Sequence, residues 1–475
     1  MWRPVVLGLS LGAALSGCAR GGHRHGRDVV VASGAEIEGV NPLLTVHPLA
    51  NEIDRYVLLT TLARRDSTLA PAPYLARTWQ WSRDRRTLRL VLVGILWSDG
   101  IPTTSRDVVW TLDAARDPAT GYPRGSDLQA LTGESAPDDS TVVLRFLDPQ
   151  PEFPDVLTDL AILPAHLLDT VARPNLRTTA WNDHPVGNGP FRFTLREPGR
   201  WVFEANPAFP PALGGPPHVD RLVFVAVNEP TTKLAGLVDG ELDVAGILPA
   251  HAPFVRRDPA LRVVDYSMLF PYAIVFNLRR PPFNSYRARL AVDLAVDRDA
   301  IVSGYLSGFG TPAWGPVPPG VPGRAAPRIR PFAPDSARRL LGRSVSVELL
   351  SVGSGDAVLE QTLQADLARA GFDVRLRELE LSAYLDRVYG PQHDFQAAVL
   401  GLRGDEGLGY LKTLAQVTGL RTQGSGDVQR LIADSLPAVF LYYARGLQGV
   451  SRRLRGVRMD LRGELVSVAA WEVSP

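Results

Sequence analysis

The sequence predicts an α/β protein that folds into more than one lobe. Its 475 residues exceed what one hydrophobic core usually supports, since a domain holds roughly 100–200 residues. Strand, helix and strand patterns follow one another in the middle of the chain, and a second such series begins near residue 330. Residues 313–334 separate the two series and are rich in proline and glycine, so we expect no regular structure there.

The first part of the chain is predicted to be rich in strands. One strand includes residues 29–31, and residues 78–81 and 87–93 have the alternation and the polar turn of a hairpin. A helix follows the hairpin, because Thr104 and Asp107 have the spacing of a capping box ahead of helically spaced apolar residues.

The two strand and helix series carry the prediction of parallel sheets. In the first series a strand at residues 222–227 precedes a helix at 231–238 and a strand at 242–247. The second series is predicted to form a separate lobe with parallel strands, and its elements in chain order are residues 335–341, 345–350, 356–370, 372–379, 383–389 and 395–400.

Composition narrows the range of functions. The chain has 51 lysines and arginines and 50 aspartates and glutamates, so its formal charge of +1 lacks the excess of positive charge typical of a dedicated nucleic-acid binder. Hydrophobic residues make up 45% of the chain, and the mean hydropathy is −0.01. These values are typical of a folded protein rather than of a disordered or polytopic membrane protein.

The N-terminal segment has the pattern of a secretory signal. Trp2 and Arg3 precede an apolar run at residues 5–15, which is too short to span a bilayer, and we predict a signal peptide at residues 1–17. The run ends in L-S-G-C, which resembles the bacterial lipobox, so Cys18 is the predicted lipidation site and residues 18–27 the predicted flexible tether. The alternative for this single cysteine is a buried or free thiol.

Beyond the predicted signal peptide, which carries G-L-S-L-G at residues 8–12, the sequence contains none of the common enzyme motifs. G-x-S-x-G, H-E-x-x-H, G-x-G-x-x-G, the Walker lysine motif and C-x-x-C are all absent from residues 18–475, and the eight histidines lack ligand spacing. We therefore predict no catalytic residue, no metal site and no cofactor. A pair of carboxylates assembled only in space, as in glycosidases, leaves little trace in sequence and stays open as an alternative.

Several spaced motifs resemble those of one family. They are the tryptophan-bearing hairpin that leads to W-S-D-G at residues 97–100 and to the capped helix, P-V-G-N-G-P-F at 185–191 with Asn188 in place of threonine, G-E-L-D at 240–243, and the block from Asn277 through P-P-F to D-R at 297–298. They occur in the family's order over most of residues 28–341. The chain is thus similar to the family 5 extracellular solute-binding proteins of peptide and nickel ABC importers.

This resemblance implies a two-lobed periplasmic-binding-protein fold of type II, with a subdomain inserted in the first lobe. Lobe I would comprise residues 28–50, 179–270 and the C-terminal return at 446–475. The inserted subdomain would comprise residues 51–178, and lobe II residues 271–445. Lobe II is expected to be shortened near residues 406–436, where the family carries a longer helical stretch.

The resemblance also implies a ligand site in lobe II. Family members that bind peptides hold the peptide ammonium with a carboxylate in a G-W-x-x-D pattern, and the corresponding segment here is G-L-R-G-D. Asp405 falls at the aspartate position, and Leu402 replaces the tryptophan. Arg403 would pair with a ligand carboxylate or with Asp405. The alternative for Asp405 is a solvated loop residue.

Further candidate ligand residues come from lobe I and from the crossing between the lobes. Parallel α/β sheets present ligands at the carboxyl ends of strands, and Ser33, Gly34 and Glu36 follow the first strand. The remaining candidates are Asn188 and Gly189 in the loop that faces the cleft in the family, and Tyr272 and Asn277, which would contact the ligand or pack the hinge.

The resulting prediction is a lipid-anchored solute-binding component of an ABC importer, located in the periplasm or at the outer face of the cytoplasmic membrane. It would capture a short peptide or peptide-like solute by hinge closure and hand it to a permease. We expect a monomer that binds no nucleic acid. The alternatives are a transport-incompetent relative that acts as a sensor or interaction protein, and a glycan or peptide hydrolase on the same scaffold.

Overall fold

The structure, a computed structural model, describes residues 26–353, 357–402, 410–421 and 428–474. Cys18, Arg403 and Asp405 lie outside the described residues. The strands are β1 (Asp28–Ser33), β2 (Ala63–Arg65), β3 (Pro71–Pro73), β4 (Ala76–Trp81), β5 (Thr87–Leu92), β6 (Leu131–Asp138), β7 (Thr141–Phe146), β8 (Phe191–Glu197), β9 (Arg200–Ala205), β10 (Arg221–Ala226), β11 (Val244–Gly246), β12 (Leu261–Phe276), β13 (Gly310–Pro312), β14 (Val345–Val352), β15 (Phe372–Leu379), β16 (Ala397–Gly401), β17 (Ala438–Ser451), β18 (Leu454–Arg455) and β19 (Glu472–Val473).

The α-helices alternate with these strands in the parts of the chain where the sequence predicts alternation. They are α1 (Pro48–Ile53), α2 (Ser105–Arg116), α3 (Val156–Asp159), α4 (Ala165–Leu168), α5 (Pro230–Val238), α6 (Ala252–Arg257), α7 (Tyr286–Ala295), α8 (Arg298–Ala300), α9 (Pro334–Leu341), α10 (Val358–Arg369), α11 (Leu381–Tyr389), α12 (Tyr410–Thr418) and α13 (Val428–Ser435).

One large sheet runs through both lobes in the order β15-β14-β16-β12-β17-β11-β1-β10-β9-β8, with β13 paired to β17. In lobe I, β10 and β11 are both parallel to β1 and flank it, so the unit β10-α5-β11 crosses over the first strand. In lobe II, β14 pairs in parallel with both β15 and β16. Both predicted strand and helix series therefore contribute parallel strands.

Two long antiparallel strands, β12 and β17, belong to both lobes. The first part of β12 pairs with the end of β17 beside β11, whereas its last part pairs with the start of β17 and with β16. The pairing register shifts between Ser267 and Pro271. The predicted crossings after residues 270 and 445 lie within these strands.

Alternate side chains of the shared sheet supply separate hydrophobic cores. In lobe II, Ile274 and Phe276 face a core formed with α7 and α10, while Ala273 and Val275 face a second core formed with α12. This alternation is the expected consequence of the two-residue strand period when both faces of a sheet are covered.

The subdomain is built on an antiparallel sheet in the order β4-β5-β7-β6. Its helix α2 begins with the predicted capping box, in which the Asp107 carboxylate accepts a hydrogen bond from the Thr104 amide at 2.7 Å. The side chains of Leu88, Leu90 and Val142 join the same core as those of β1 and β10. The subdomain therefore packs against lobe I without a break in the apolar core.

An ion pair joins three separate passes of the chain in lobe I. Asp243, in the G-E-L-D turn, accepts two hydrogen bonds from the Arg453 guanidinium, both at 2.7 Å, and a third from the Val30 amide at 2.9 Å. The Asp243 side chain is buried, so the pair is shielded from water. This contact ties the C-terminal return to the first strand.

We predict that Asp243→Ala lowers the free energy of unfolding by about 3–5 kcal/mol, because it leaves the Arg453 charge and the Val30 amide without their partner. Urea unfolding measures this loss. Glu197→Ala, which breaks an exposed pair with Arg200 at 3.3 Å, is the matched control and should cost less than about 1 kcal/mol. If both variants lost the same free energy of unfolding, the buried Asp243 carboxylate would not stabilise the fold through Arg453 and Val30.

Candidate ligand-binding cleft

Two adjoining cavities lie where lobe I, the subdomain and lobe II meet. The first, called here the lobe I cavity, measures about 580 Å³. Its lining comes from the region of α1, from the subdomain, from β12 and from the C-terminal return, and it includes Val46, Glu52, Asp54, Arg55, Tyr122, Arg124, Asp159, Tyr266, Met268, Leu269, Phe270, Asp460, Leu461, Arg462, Gly463 and Glu464.

The second, called here the lobe II cavity, measures about 490 Å³ and lies between the subdomain and lobe II. Its lining is Pro123, Arg124, Ser126, Asp127, Tyr389, Gly401, Leu402, Tyr410, Lys412 and Thr413. Pro123 and Arg124 line both cavities, so the two volumes adjoin at the subdomain. Together they form a cleft of the size and position in which a small solute can bind between lobes.

One wall of the lobe I cavity is acidic. Glu52 belongs to α1, Asp54 to the π-helical turn that continues α1, and Glu464 to the C-terminal return. The Glu52 carboxylate accepts a hydrogen bond from the Leu465 amide at 2.8 Å, and Glu464 accepts one from the Tyr266 hydroxyl at 2.8 Å. These contacts hold both carboxylates at the cavity.

A glycine allows this close approach. Gly463 has φ +128°, and a Cβ at this position would lie 2.4 Å from the carboxyl carbon of Glu52. No larger residue fits there without moving Glu52, and the backbone conformation itself favours glycine. The glycine at position 463 therefore lets Glu52 of α1 and Glu464 of the C-terminal return line the same cavity.

The carboxyl groups of the acidic wall have pKa values above those of ordinary carboxyl groups. Burial, followed by repulsion from Glu464, raises the pKa of Glu52 from its ordinary value of 4.5 to about 8. Burial also raises the pKa of Glu464 and, by a larger amount, that of Asp54. Neither carboxylate oxygen of Asp54 accepts a hydrogen bond from the described part of the chain.

The arginines of the lobe I cavity are paired with other carboxylates. Asp159 binds Arg55 at 2.8 Å and Arg124 at 2.7 Å, and these two cations hold the pKa of Asp159 below its ordinary value although burial acts in the opposite direction. Arg462 binds Asp460 at 2.6 Å. These pairs fix the walls and neutralise most of the positive charge.

Apolar side chains also line the lobe I cavity. Met268, Leu269 and Phe270 come from the irregular part of β12, and Val46 and Leu461 from flanking loops. The cavity is therefore amphipathic, because both charged and apolar side chains line it. In the lobe II cavity, Tyr389 and Leu402 supply apolar surface, and the Tyr410 hydroxyl is held by the Pro316 carbonyl at 2.7 Å.

The sequence profile of the bacterial extracellular solute-binding proteins, family 5, matches residues 70–419, which is more than half of the chain. The chain is a family 5 extracellular solute-binding protein. The resemblance recognised in its motifs is thereby confirmed.

Curated relatives support the same family. The di/tripeptide-binding protein 4 of Pseudomonas aeruginosa is 30% identical over 444 residues, which cover 86% of this chain and 82% of the relative. A putative ABC transporter peptide-binding protein of Brucella ovis is 29% identical over 347 residues, or 69% of this chain, and the match spans 65% of that relative's length. These relatives are named as binding proteins, in agreement with the prediction that the chain is not an enzyme.

Solved structures confirm the predicted two-lobed α/β fold. The oligopeptide-binding protein AppA from Bacillus subtilis, solved with a nonapeptide, superposes with a TM-score of 0.76 at 22% identity, over 94% of this chain and 99% of AppA. NikZ from Campylobacter jejuni, solved with Ni(L-His), superposes with a TM-score of 0.76 at 20% identity, over 94% and 99% of the two chains.

The candidates after the first strand of this family 5 protein lie beside the cavities rather than in their linings. The Ser33 hydroxyl donates to the Ala35 carbonyl at 2.6 Å, and Glu36 accepts from the Gly199 amide at 3.1 Å. A Cβ at Gly34 would lie 3.5 Å from the ammonium nitrogen of Lys233. Ser33 is the last residue of β1, and Gly34 and Glu36 follow it, so all three lie at the carboxyl end of the strand where they were predicted.

Asn188 and Gly189 are engaged inside the protein. The Asn188 side chain is buried, its oxygen accepts from the Thr60 amide at 2.9 Å, and its amide nitrogen donates to the Thr103 hydroxyl at 3.3 Å. A Cβ at Gly189 would lie 2.5 Å from the Val57 carbonyl oxygen. In this structure the loop packs lobe I against the subdomain, and neither residue lines the two cavities.

The candidates at the crossing divide between the interior and the cleft. Tyr272 stacks on Tyr442 at 4.7 Å within lobe II, and the buried Asn277 side chain donates to the His393 carbonyl at 2.8 Å. Neither lines the cavities. Leu402, directly after β16, does line the lobe II cavity, and its amide donates to the Pro271 carbonyl at 2.8 Å.

The sequence reasoning missed the acidic wall. Glu52 and Glu464 lie near opposite ends of the chain, and no motif marks either. The expected return of residues 446–475 to lobe I was the one available signal. Among the described residues, no group of histidine, cysteine, aspartate and glutamate side chains has the arrangement of a metal site, and no helix has the length and apolar character needed to cross a membrane.

We predict that Glu52→Gln weakens the pH dependence of stability. Since folding raises the pKa of Glu52 from 4.5 to about 8, the stabilisation due to its bound proton is complete below pH 4.5 and is lost as the pH rises through about 8. The wild type should therefore lose at least about 1.4 kcal/mol more than the variant over this range, which corresponds to one pKa unit.

Urea unfolding of both proteins across this pH range measures the difference. Glu197→Gln, a change of the same type at an exposed position, is the control and should keep the wild-type profile. If Glu52→Gln and the wild type lost stability in parallel, Glu52 would not carry the raised pKa.

Proposed function

We propose that this family 5 protein is the solute-binding component of an ABC importer, and that it captures a short peptide or peptide-like solute in the cleft outside the cytoplasmic membrane. The observation that carries the proposal is the pair of adjoining cavities between subdomain and lobes, which offers charged and apolar surfaces to one solute. The relatives named as peptide-binding proteins support the same solute class.

Capture would proceed by closure of the lobes around the solute. The two lobes share β12 and β17, and the pairing between these strands is irregular between Ser267 and Pro271, beside the cavity residues Met268, Leu269 and Phe270. A ladder with fewer regular hydrogen bonds bends more readily than the uninterrupted parts of the sheet. Closure would bury the solute, and its affinity would depend on how far it favours the closed state.

The proposed function includes a lipid anchor and a permease partner. The lipobox-like L-S-G-C segment supports processing before Cys18 and lipid attachment at its thiol, which would hold the protein at the outer face of the cytoplasmic membrane or in the periplasm. The tether at residues 18–27 would let the bound protein reach the permease. We propose that it acts as a monomer.

We predict that Thr413→Trp lowers the affinity for a bound peptide at least about tenfold, because the indole would fill part of the lobe II cavity. Native mass spectrometry of the purified protein identifies a co-purified solute, and calorimetry with dipeptides, tripeptides and a nonapeptide gives the affinities. Gln416→Trp, which places the same side chain at an exposed position of α12 outside the cavity lining, should bind as the wild type does.

Small-angle scattering with and without the peptide then tests closure. The radius of gyration should decrease when the peptide binds to the wild type and to Gln416→Trp. If no solute co-purifies, no peptide binds and the dimensions never change, the importer function is refuted.

We predict that Cys18→Ala abolishes incorporation of labelled palmitate in cells and moves the protein out of the lipid-modified membrane fraction. The thiol is the atom that receives the lipid, and alanine supplies no nucleophile. Ser16→Ala keeps a small residue in the lipobox-like segment and should remain labelled. Label retained in Cys18→Ala would refute the anchor.

A further inference from the structure

The charges that line the lobe I cavity do not balance. Its lining contains five carboxylates and three guanidiniums, a formal excess of two negative charges if all are ionised. Arg55, Arg124 and Arg462 are paired with Asp159 and Asp460. The remaining carboxylates, Glu52, Asp54 and Glu464, form no ion pair with lysine or arginine within the described residues.

Asp54 gives a second, independent indication of a missing positive partner. Its side chain is 1% exposed, it lines the cavity, and neither of its oxygens accepts a hydrogen bond from the described part of the chain. A buried carboxylate without a partner is costly, and such groups in native proteins usually have a functional explanation. A cation in the cavity would supply the compensation that the protein itself does not.

The apolar part of the lining indicates what carries the cation. Val46 is 72% exposed, and with Met268 and Phe270 it adds apolar surface to the cavity that the acids line. Exposed apolar side chains that line a concave site favour an apolar ligand group. The cavity thus presents acidic and apolar side chains to the same occupant.

We propose that the lobe I cavity binds the ammonium group of an amine with an apolar substituent, with Glu52 and Glu464 as the acceptors of the ammonium and Asp54 as a further carboxyl group of the same lining. This proposal rests on the proposed function: if the protein binds peptides, the group in the cavity is the amino terminus of a peptide whose first side chain is apolar. A desolvated carboxylate pair would give strong, charge-assisted hydrogen bonds to such a group.

This assignment fixes the direction of the peptide in the cleft. Its amino terminus would lie in lobe I, and the rest of the chain would pass Arg124 into the lobe II cavity. The resemblance to the family instead predicts the ammonium at Asp405, in lobe II and outside the described residues. The two assignments name different carboxylates as the partner of the ammonium, so one experiment separates them.

Proton release gives the site a distinctive signature. Glu52 is packed against groups from several elements, namely Glu464 of the C-terminal return, Arg55 of the turn after α1, and Tyr266 of β12, while Lys233 of α5 acts on Glu464. Because burial and Glu464 raise the pKa of Glu52 to about 8, this carboxyl is mostly protonated in the empty cavity at neutral pH. An arriving ammonium would favour the ionised form, and the carboxyl would release its proton to the buffer.

The test compares charged and neutral probes of the same shape. Calorimetry on the full chain in detergent, at about pH 7, measures 2-phenylethylamine against 2-phenylethanol, and Phe-Gly-Gly against N-acetyl-Phe-Gly-Gly. The charged member of each pair should bind at least about tenfold more tightly. Buffers with different enthalpies of ionisation should reveal proton release that accompanies binding of the amine.

The variants locate the effect. Glu464→Gln and, separately, Glu52→Gln should bring the affinities of each probe pair close together, and Glu52→Gln should also abolish the buffer dependence. Asp265→Asn, an acid-to-amide change next to Tyr266 on β12 whose carboxylate pairs with Arg445, should keep the wild-type preference. Asp405→Asn should keep it as well.

The outcomes separate this inference from the proposed function. If peptides bind but the preference for the free amine is absent, or disappears in Asp405→Asn and not in the Glu variants, the ammonium site is refuted while the importer function stands. If the amine binds as described and no peptide does, the ammonium site stands and the peptide function is refuted. If neither amine nor peptide binds, both are refuted.

Discussion

The backbone ladder between β12 and β17 is the constraint on which the rest of the structure depends. These two strands are the parts of the large sheet that belong to both lobes, so the hydrogen bonds between them set how lobe I faces lobe II. The ladder is regular at its two ends and has register shifts between Ser267 and Pro271 and between Tyr272 and Ala273, and the residues at the first shift line the lobe I cavity. The same segment thus joins the lobes and contributes an apolar wall to the cleft.

The electrostatics of the cleft follow from which charges are already paired. Asp159 forms ion pairs with both Arg55 and Arg124. The positive charge of these two arginines is therefore largely neutralised within the cleft. The carboxylates of Glu52 and Glu464 line the same cavity and form no ion pair with lysine or arginine within the described residues. Burial therefore outweighs the hydrogen bonds and the more distant cations that favour their ionised forms, and their raised pKa values are the expected physical result.

Much of the fold could be predicted from local sequence signals, whereas most of the cleft could not. The capping box at Thr104 and the strand at residues 372–379 were both predicted with bounds close to those observed, because caps and short-range alternation are local. The hairpin of β8 and β9 and the full length of β12 were missed. In β12 one strand passes through two lobes with different surroundings, so its burial follows no single alternating pattern.

The site was harder to predict for the same reason. Asn188 was singled out by its place in a motif, yet its amide is occupied by Thr60 and Thr103, which shows that a motif residue can hold a lobe together rather than face the cleft. Glu464 carries no motif and reaches the cleft only because the C-terminal return is bound to lobe I, in part through Arg453 and Asp243. Long-range contacts of this type leave no periodic signal in the sequence.

Pro123 and Arg124 lie between the two cavities, line both of them, and belong to the subdomain inserted in lobe I. Because this partition is supplied by the inserted subdomain, an insertion or deletion within a single surface loop would lengthen or shorten the space available to a solute while leaving the interlobe strands untouched. The size of the solute that fits could therefore change through this loop alone, while the strands that join the two lobes stay the same.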